Sequence, residues 1–388
     1  KFSLWIGDVI ITKDSEDRSD IAVPTFVAET APNLLCGYHL ALLRARPKLI
    51  CGGFLFWAIQ SKQSREAFSN AASGITRFGL TLDGIKSIVL PCPSPETQKT
   101  IADFLDRETA RIDQLIEKKE RLVRLLGEKW NTTLTHLTTK GLGDAKVVPS
   151  RNRWIGKIPE HWKIVRLKHL LANDGAAIKP GPFGSDLRSN DMEGDYATVI
   201  NQRAVLDGDF SRKGVAVTKE KYEALRSFSV RGGDVLLTSR GTIGRATIVS
   251  KNVERAIIHP CVIRLRLNET KICPEYFLHL LSESAFLEQV LDLSNATTIE
   301  VIYGYVLGEV SFPVPPLDEQ SNIAVEIRRA SQLTKDTQQA TSKSICRLRE
   351  FRSALITAAV TGQIDVKTWS RRGSTDRRLD QIEEEMSA

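Results

Sequence analysis

FSVRGGDVLLT (Phe228–Thr238) repeats FSLWIGDVIIT (Phe2–Thr12), and this pairing decides how the chain is read. Phe, Ser, Gly, Asp, Val and Thr coincide between the two blocks. Working outward, HLALLRAR (His39–Arg46) pairs with HPCVIRLR (His259–Arg266), and CGGFLFWAI (Cys51–Ile59) with CPEYFLHLL (Cys273–Leu281). PCPSPETQKTIA (Pro91–Ala102) pairs with PVPPLDEQSNIA (Pro313–Ala324), and each copy closes in a long polar helix pattern ending at Gly141 or Gly362. Matched blocks in one order define an internal repeat, a signature that fixes architecture before any local reading. The second copy begins near Arg153, in RWIGKIPEHWKIVRLKHLL, whereas Lys1 aligns with Ser227. The counterpart of residues 153–226 is therefore expected to be missing from the front of the first copy. A naturally short first copy is the alternative.

Within one copy, GDVLLTSRGTIGRATIVS (Gly233–Ser250) alternates, is β-branched and carries Gly breaks, which predicts a hairpin. AIIHPCVIRLRL (Ala256–Leu267) predicts one strand, and GEVSFPVPP (Gly308–Pro316) a short one. PEYFLHLLSESAFLEQVLDL (Pro274–Leu293) predicts a helix with Pro in its first turn. Each copy is thus a mixed α/β globule followed by a long helix. The first long helix should open at Ser94-Pro95-Glu96, since Ser caps, Pro fits the first turn and Glu suits the positive dipole end. Its apolar residues Ile101, Leu105, Ile112, Leu115, Leu122 and Leu126 keep a heptad rhythm that shifts to Trp130, Leu134 and Leu137. The second long helix, from about Leu317 to Val360, carries Ile323, Ile327, Ala330, Leu348, Phe351 and Leu355. A helix of ~35 residues spans about 52 Å and needs a partner for its seam. The two helices of this chain are the expected antiparallel pair; two separate exposed amphipathic helices are the alternative.

Composition narrows the class. The chain has 388 residues with 54 Lys plus Arg against 47 Asp plus Glu, a net +7 that permits shaped nucleic-acid-binding patches but supplies no polybasic tail. No apolar run approaches the ~20 residues of a membrane span, and no secretory pattern opens the chain. The six cysteines form no CxxC pairs, which suits a reduced, cytoplasmic compartment without structural zinc. The expected fold class is α+β: two α/β globules separated by two long antiparallel coiled-coil helices, with a pseudo-two-fold internal repeat. The expected boundaries are a partial first globule at 1–93, a first helix at 94–141, a linker at 142–152, a second globule at 153–316, a second helix at 317–362 and a tail at 363–388.

In this arrangement the chain resembles the specificity subunits of type I restriction–modification systems. The resemblance rests on Ile158–Leu170, Gly181–Asp191, Gly233–Arg245, Pro313–Ala324, Leu90–Leu126 and Leu348–Val366, and stops near Trp369. The chain departs from the family in lacking the front of the first copy and in reading PSPETQ where the second copy reads PPLDEQ. The resemblance implies a subunit that binds double-stranded DNA, with each globule reading one half of a split site. It implies helices that set the spacing and dock two methyltransferase subunits, with restriction subunits joining through the complex. S-adenosylmethionine, ATP and Mg would reside on those partners, and this chain would hold no cofactor.

Base reading needs Arg, Asn, Gln or hydroxyl side chains that reach groove edges, and Lys or Arg on phosphates. The polar, Gly-rich loops of the second copy supply Lys179, Ser185 and Arg188 in KPGPFGSDLR, the run Asn201, Gln202 and Arg203, and Ser239, Arg240, Thr242 and Arg245 in SRGTIGR. Thr297 and Thr298 lie in SNATTIE, and Thr76 and Arg77 of SGITRFG hold the matching place in the first copy. His39 and His259 sit among apolar residues and are expected in the core, while Trp154 and Trp162 are expected to anchor the start of the second domain. Catalysis by this chain is not expected. The sequence has no Walker loop, no Asn-Pro-Pro-aromatic tetrapeptide and no Gly-rich cofactor loop following a strand. The competing reading is a non-catalytic interaction scaffold with two globules on a coiled-coil strut.

Overall fold

A computed structural model describes residues 2–210, 215–294 and 301–369. It divides into two compact units, Lys1–Arg124 with Gln338–Ala388, and Leu125–Thr337. Each unit combines small sheets and short helices with segments of both long helices, Pro95–Lys140 and Leu317–Val360. Those two spans agree with the apolar rhythm. The hydroxyl of Ser94 accepts from the backbone N–H of Thr97 at 3.3 Å, the cap that the sequence proposes.

In the first unit, β1 (Val9–Thr12) lies between β2 (Pro24–Phe26) and β3 (Leu40–Leu43), both antiparallel to it, with Val9 opposite Phe26 and Leu43. Helices α1 (Gly52–Gln60) and α2 (Lys62–Ala71) cover this sheet through Leu55, Ile59 and Phe68, which cluster with Val9 and Ile11. In the second unit, β4 (Lys163–Arg166), β5 (Ile178–Pro180), β6 (Ala197–Ile200) and helix α3 (Gln202–Asp207) precede β7 (Val235–Thr238) and β8 (Ala246–Ile248). After them come β9 (Ala256–Ile258), β10 (Val262–Leu265), helices α4 (Pro274–Leu281) and α5 (Ser284–Leu293), and β11 (Ser311–Val314). Its main sheet has the order β8-β7-β10-β5, and β9 pairs in parallel with β6. The element sequence is duplicated: β7, β8, β10, α4 and α5 stand where β1, β2, β3, α1 and α2 stand in the first unit.

Polar contacts are duplicated with the same atoms. Asp8 takes the Trp5 amide at 2.8 Å and the Arg44 guanidinium at 2.8 and 2.7 Å. Asp234 takes the Arg231 amide at 2.9 Å and the Arg266 guanidinium at 3.0 Å. Both aspartates are buried, and each follows a glycine at positive φ, Gly7 at 92° and Gly233 at 88°, a turn that other residues rarely adopt. The Arg44 guanidinium holds the Asp8 carboxyl below the usual carboxylate range. A second lock follows. Gln98 accepts from the Cys51 amide at 2.9 Å and donates to the carbonyls of Leu49 and Pro93. Gln320 accepts from the Cys273 amide at 2.7 Å and donates to the carbonyls of Lys271 and Pro315. Both glutamines are fully buried and tie the first turn of a long helix to the loop before a short one.

Each unit is also packed by the last turns of the other copy's long helix. Ile101 and Leu105 cluster with Ile356 and Ala359 in the first unit, and Ile323 and Ile327 cluster with Leu134 and Leu137 in the second. Within the first unit the helices run antiparallel, since Asp113 pairs with Arg352 at 2.8 Å and Glu120 with Arg349 at 2.7 Å.

Four sequence expectations are corrected. Ala256–Leu267 forms two strands in different sheets, because His259-Pro260 interrupts the ladder. Pro274–Leu293 forms two helices, since Glu283 caps α5 in an extended conformation and its carboxylate bonds Thr135 at 2.7 Å and Thr138 at 3.1 Å. Leu122 is exposed on the first long helix, so the seam passes through Ile116 instead. The β1–β3 and β7–β10 registers align Arg44 with Arg266 and Leu40 with Val262, so the true partner of His39 is Cys261 and not His259. His39 pairs with Asp14 near the surface, whereas His259 is half-buried and burial lowers its pKa.

The units differ at one edge. β10 pairs with β7 and β5, while among the described residues β3 pairs with β1 alone, and its residues stay half-buried where those of β10 are buried. Likewise Ser311 is half-buried where β11 pairs with β4, opposite Arg166, while its counterpart Val89 is 89% exposed. Hydrogen exchange checks the consequence: β3 amides facing away from β1 should exchange on the order of 100-fold faster than the equivalent amides of β10. Equal protection would show that the β3 edge is covered.

Candidate nucleic-acid interface

Three of the predicted reading residues of the second unit, Lys179, Ser239 and Arg240, come together at one end of the main sheet. Lys179 lies in β5 opposite Arg264 of β10, with its ammonium 4.4 Å from the Phe228 ring centroid. Ser239 leaves β7 and is buried; its amide donates to the Cys261 carbonyl at 2.9 Å, and its carbonyl accepts from Ile302 at 2.9 Å. Arg240 follows, forms a β-bridge with Val301 and projects from the surface. Its guanidinium has no acidic partner among the described residues. Lys179, Ser239 and Arg240 line one open cavity of about 690 Å³, together with Pro182, Phe183, Phe228, Tyr303 and Tyr305.

The loop Gly181–Gly184 forms a wall of this cavity. A Cβ on Gly181 would lie 2.2 Å from the His259 carbonyl oxygen, so only glycine lets the loop leave β5 there. Phe228, which also lines the cavity, is positioned by Arg264, which is 1% exposed. Its guanidinium donates to the carbonyls of Ala176 at 3.1 Å, Ser227 at 3.2 Å and Ser229, so one side chain fixes the start of β5 and the backbone on both sides of Phe228. Burial lowers its pKa. Its Nε is the sole buried side-chain nitrogen or oxygen without a partner among the described residues.

The other predicted residues fall into separate groups. Asn201 caps α3, its side-chain oxygen accepting from the Ala204 amide at 3.1 Å, so its geometry is structural. Gln202 donates to the Thr242 carbonyl at 3.3 Å and supports the Gly241 turn of the SRGTIGR loop. Arg203 pairs with Asp207 at 2.8 Å one turn along the same helix. Thr242 and Arg245 lie exposed on the β7–β8 turn, where the Thr238 hydroxyl accepts from the Arg245 amide at 3.0 Å and donates to the Thr242 carbonyl at 2.5 Å. Ser185 and Arg188 are exposed beyond the cavity loop, and the Arg188 amide donates to Asp191 at 2.8 Å. In the first unit Thr76 is exposed, and Arg77 bonds the Asp14 carboxylate at 2.8 Å. Thr297 and Thr298 lie outside the described residues. Sequence reasoning missed Phe183, Tyr303 and Tyr305, although GPFG and YGY display aromatics beside glycine. Trp162 does anchor its domain, donating to Glu319 at 3.1 Å, while Trp154 is half-buried under the Arg153 guanidinium. No helix among the described residues is long and apolar enough to cross a membrane.

Comparison with known proteins agrees with this architecture. The family described as type I restriction modification DNA specificity domain matches residues 159–345. The type I restriction enzyme MjaVIII specificity subunit of Methanocaldococcus jannaschii is 24% identical over 333 residues, 84% of this chain and 73% of that one. The EcoBI specificity subunit of Escherichia coli is 23% identical over 306 residues, 77% of this chain and 63% of its own length. Among solved structures, a chain from a study of complex assembly and conformational transition of the type I R-M system superposes with a TM-score of 0.66 at 19% identity, covering 92% of this chain and 82% of that one. The HsdS subunit from Thermoanaerobacter tengcongensis gives 0.54 at 18% identity, covering 93% and 82%.

Arg240 and Arg264 separate surface from frame. Arg240→Ala should leave urea-unfolding stability within about 0.5 kcal/mol, as for other unpaired surface residues. Arg264→Met should lower it by about 3 kcal/mol by orphaning three carbonyls. Similar losses for both would mean that Arg240 has a structural partner.

Proposed function

Because the chain belongs to the specificity subunits of type I restriction–modification systems, we propose that its second unit reads one half of a split duplex DNA site through the cavity face bearing Lys179, Ser239 and Arg240. The observation that carries this reading is a constant frame with a changed rim. The Asp–Arg lock recurs through the same backbone amide and the same Arg Nε bond, and the glutamine lock through the same three backbone partners, whereas Ser239 and Arg240 stand where the first unit has Lys13 and Asp14. A fold held constant while its rim varies is what two readers of different half-sites require. Arg240, which has no acidic partner among the described residues, suits a guanine edge, and Lys179 suits a phosphate. The Thr242 and Arg245 turn, with Ser185 and Arg188, extends the polar face. Thr76 and Arg77 are the corresponding candidates of the first unit.

The chain supplies specificity and not catalysis. The two long helices, over 94–141 and 317–362, set the separation of the half-sites and dock two methyltransferase subunits, through which restriction subunits join. Exposed Leu125, Val325 and Leu333 on the helical segments of the second unit offer apolar area for such docking. S-adenosylmethionine, ATP and Mg act on those partners, in the cytoplasm.

Duplex binding measured against salt tests the reading. Affinity should fall about 1,000-fold or more between 50 and 200 mM salt. In methylome sequencing of cells carrying the chain and its partners, Arg240→Ala should relax the modified sequence in one half-site only. Absence of duplex binding at low salt would favour the scaffold reading. A uniform loss across sequences would make Arg240 a phosphate contact.

A further inference from the structure

We propose that Phe183, Tyr303 and Tyr305 form an aromatic receptor for a nucleobase displaced from the stack of bound DNA. The proposal rests on the reading of the second unit as a DNA-binding module and names what its cavity takes. Phe183, Tyr303 and Tyr305 are 81%, 50% and 75% exposed, a concentration of uncovered rings around one opening. The two tyrosine rings lie parallel within 22°, with centroids 5.7 Å apart. Every base offers a π-face, and aromatic platforms of this kind bind unstacked bases.

The first unit shows what these aromatics displace. Tyr303 occupies the N-cap of the short helix Gly304–Glu309 and makes no side-chain capping bond. Its counterpart Thr81 caps Leu82–Lys86, accepting from the Gly84 amide at 3.0 Å. Tyr305 replaces Asp83, an acid placed in the first turn where the helix dipole favours it. A cap contributes about 1 kcal/mol and a favourable first-turn charge somewhat less. The second unit forgoes both and gains exposed aromatic surface, a local loss expected at functional sites. The flanking cations complete the receptor. Lys179 and Arg240 line the same cavity; Lys179 suits a phosphate beside a displaced nucleotide and Arg240 the edge of a neighbouring base, whereas an apolar protein segment would leave both unanswered.

The test compares binding of the full chain to a labelled 24-base-pair duplex and to the same duplex carrying one extrahelical 2-aminopurine. The bulged duplex should bind about tenfold tighter, and 2-aminopurine fluorescence should fall on binding as the base stacks. Phe183→Ala with Tyr305→Ala should abolish both effects, while Phe183→Trp with Tyr305→Phe should retain them. Thermal unfolding of each variant checks that exposed positions were changed without loss of the fold. Binding of both duplexes with equal affinity and unchanged fluorescence would overturn the aromatic receptor and leave the DNA-reading function standing. Failure to bind either duplex would overturn both.

Discussion

The structure depends on an exchange of helix ends. Each long helix starts against the globule it follows, through a buried glutamine, and finishes in the apolar core of the other unit. Leu134 and Leu137, carried by the helix that follows the first globule, pack with Ile323 and Ile327 in the second unit. Ile356 and Ala359 make the reciprocal contact with Ile101 and Leu105. Neither globule buries its helix-facing side with its own residues alone. The hydroxyls of Thr135 and Thr357 mark the same logic in polar atoms. Thr135 bonds Glu283 at the start of α5, and Thr357 accepts from the Lys62 amide at the start of α2.

On this frame, function is a matter of what differs. Repeated atoms hold β1 and β7, the loops before α1 and α4, and the first turns of both long helices. The divergent positions gather at the strand ends and the loops between them. There Arg240 is exposed and pairs with no acid among the described residues, whereas its counterpart Asp14 binds Arg77 and His39. The first rim is thus internally neutralised, and among the described residues the second is not. Arg264 has no counterpart of its own kind, since Leu42 holds that place in β3. The carbonyls that Arg264 fixes belong in part to the approach to β5, an element paired to β10 and unmatched at β3 among the described residues.

Much of this was legible in the residues. The heptad rhythm and the Ser94-Pro95 start located the first long helix, and the block PVPPLDEQ (Pro313–Gln320) located the start of the second. The repeat was legible because buried strands keep their apolar alternation. The same alternation hid a slip of two residues in pairing His39 with His259, since a shift of two leaves every side chain on its own face. The break at Glu283 was hidden because its partners, Thr135 and Thr138, lie about 145 residues away in sequence. At the site, Gly-rich loops pointed to Lys179, Ser239 and Arg240. The polar run Asn201–Arg203 looked alike, yet Asn201 caps a helix and Arg203 pairs within it, roles that a helix start at Gln202 would have announced. Tyr303 and Tyr305 went unremarked because an aromatic among valine and isoleucine carries no sign of exposure.

Site-resolved hydrogen exchange on Leu134→Ala with Leu137→Ala tests whether each helix ends in the other copy's core. These changes sit on the helix that follows the first globule, yet β7 and β10 should lose protection while β1 and β3 keep theirs. Loss of protection in β1 and β3 with β7 and β10 unaffected would contradict that arrangement.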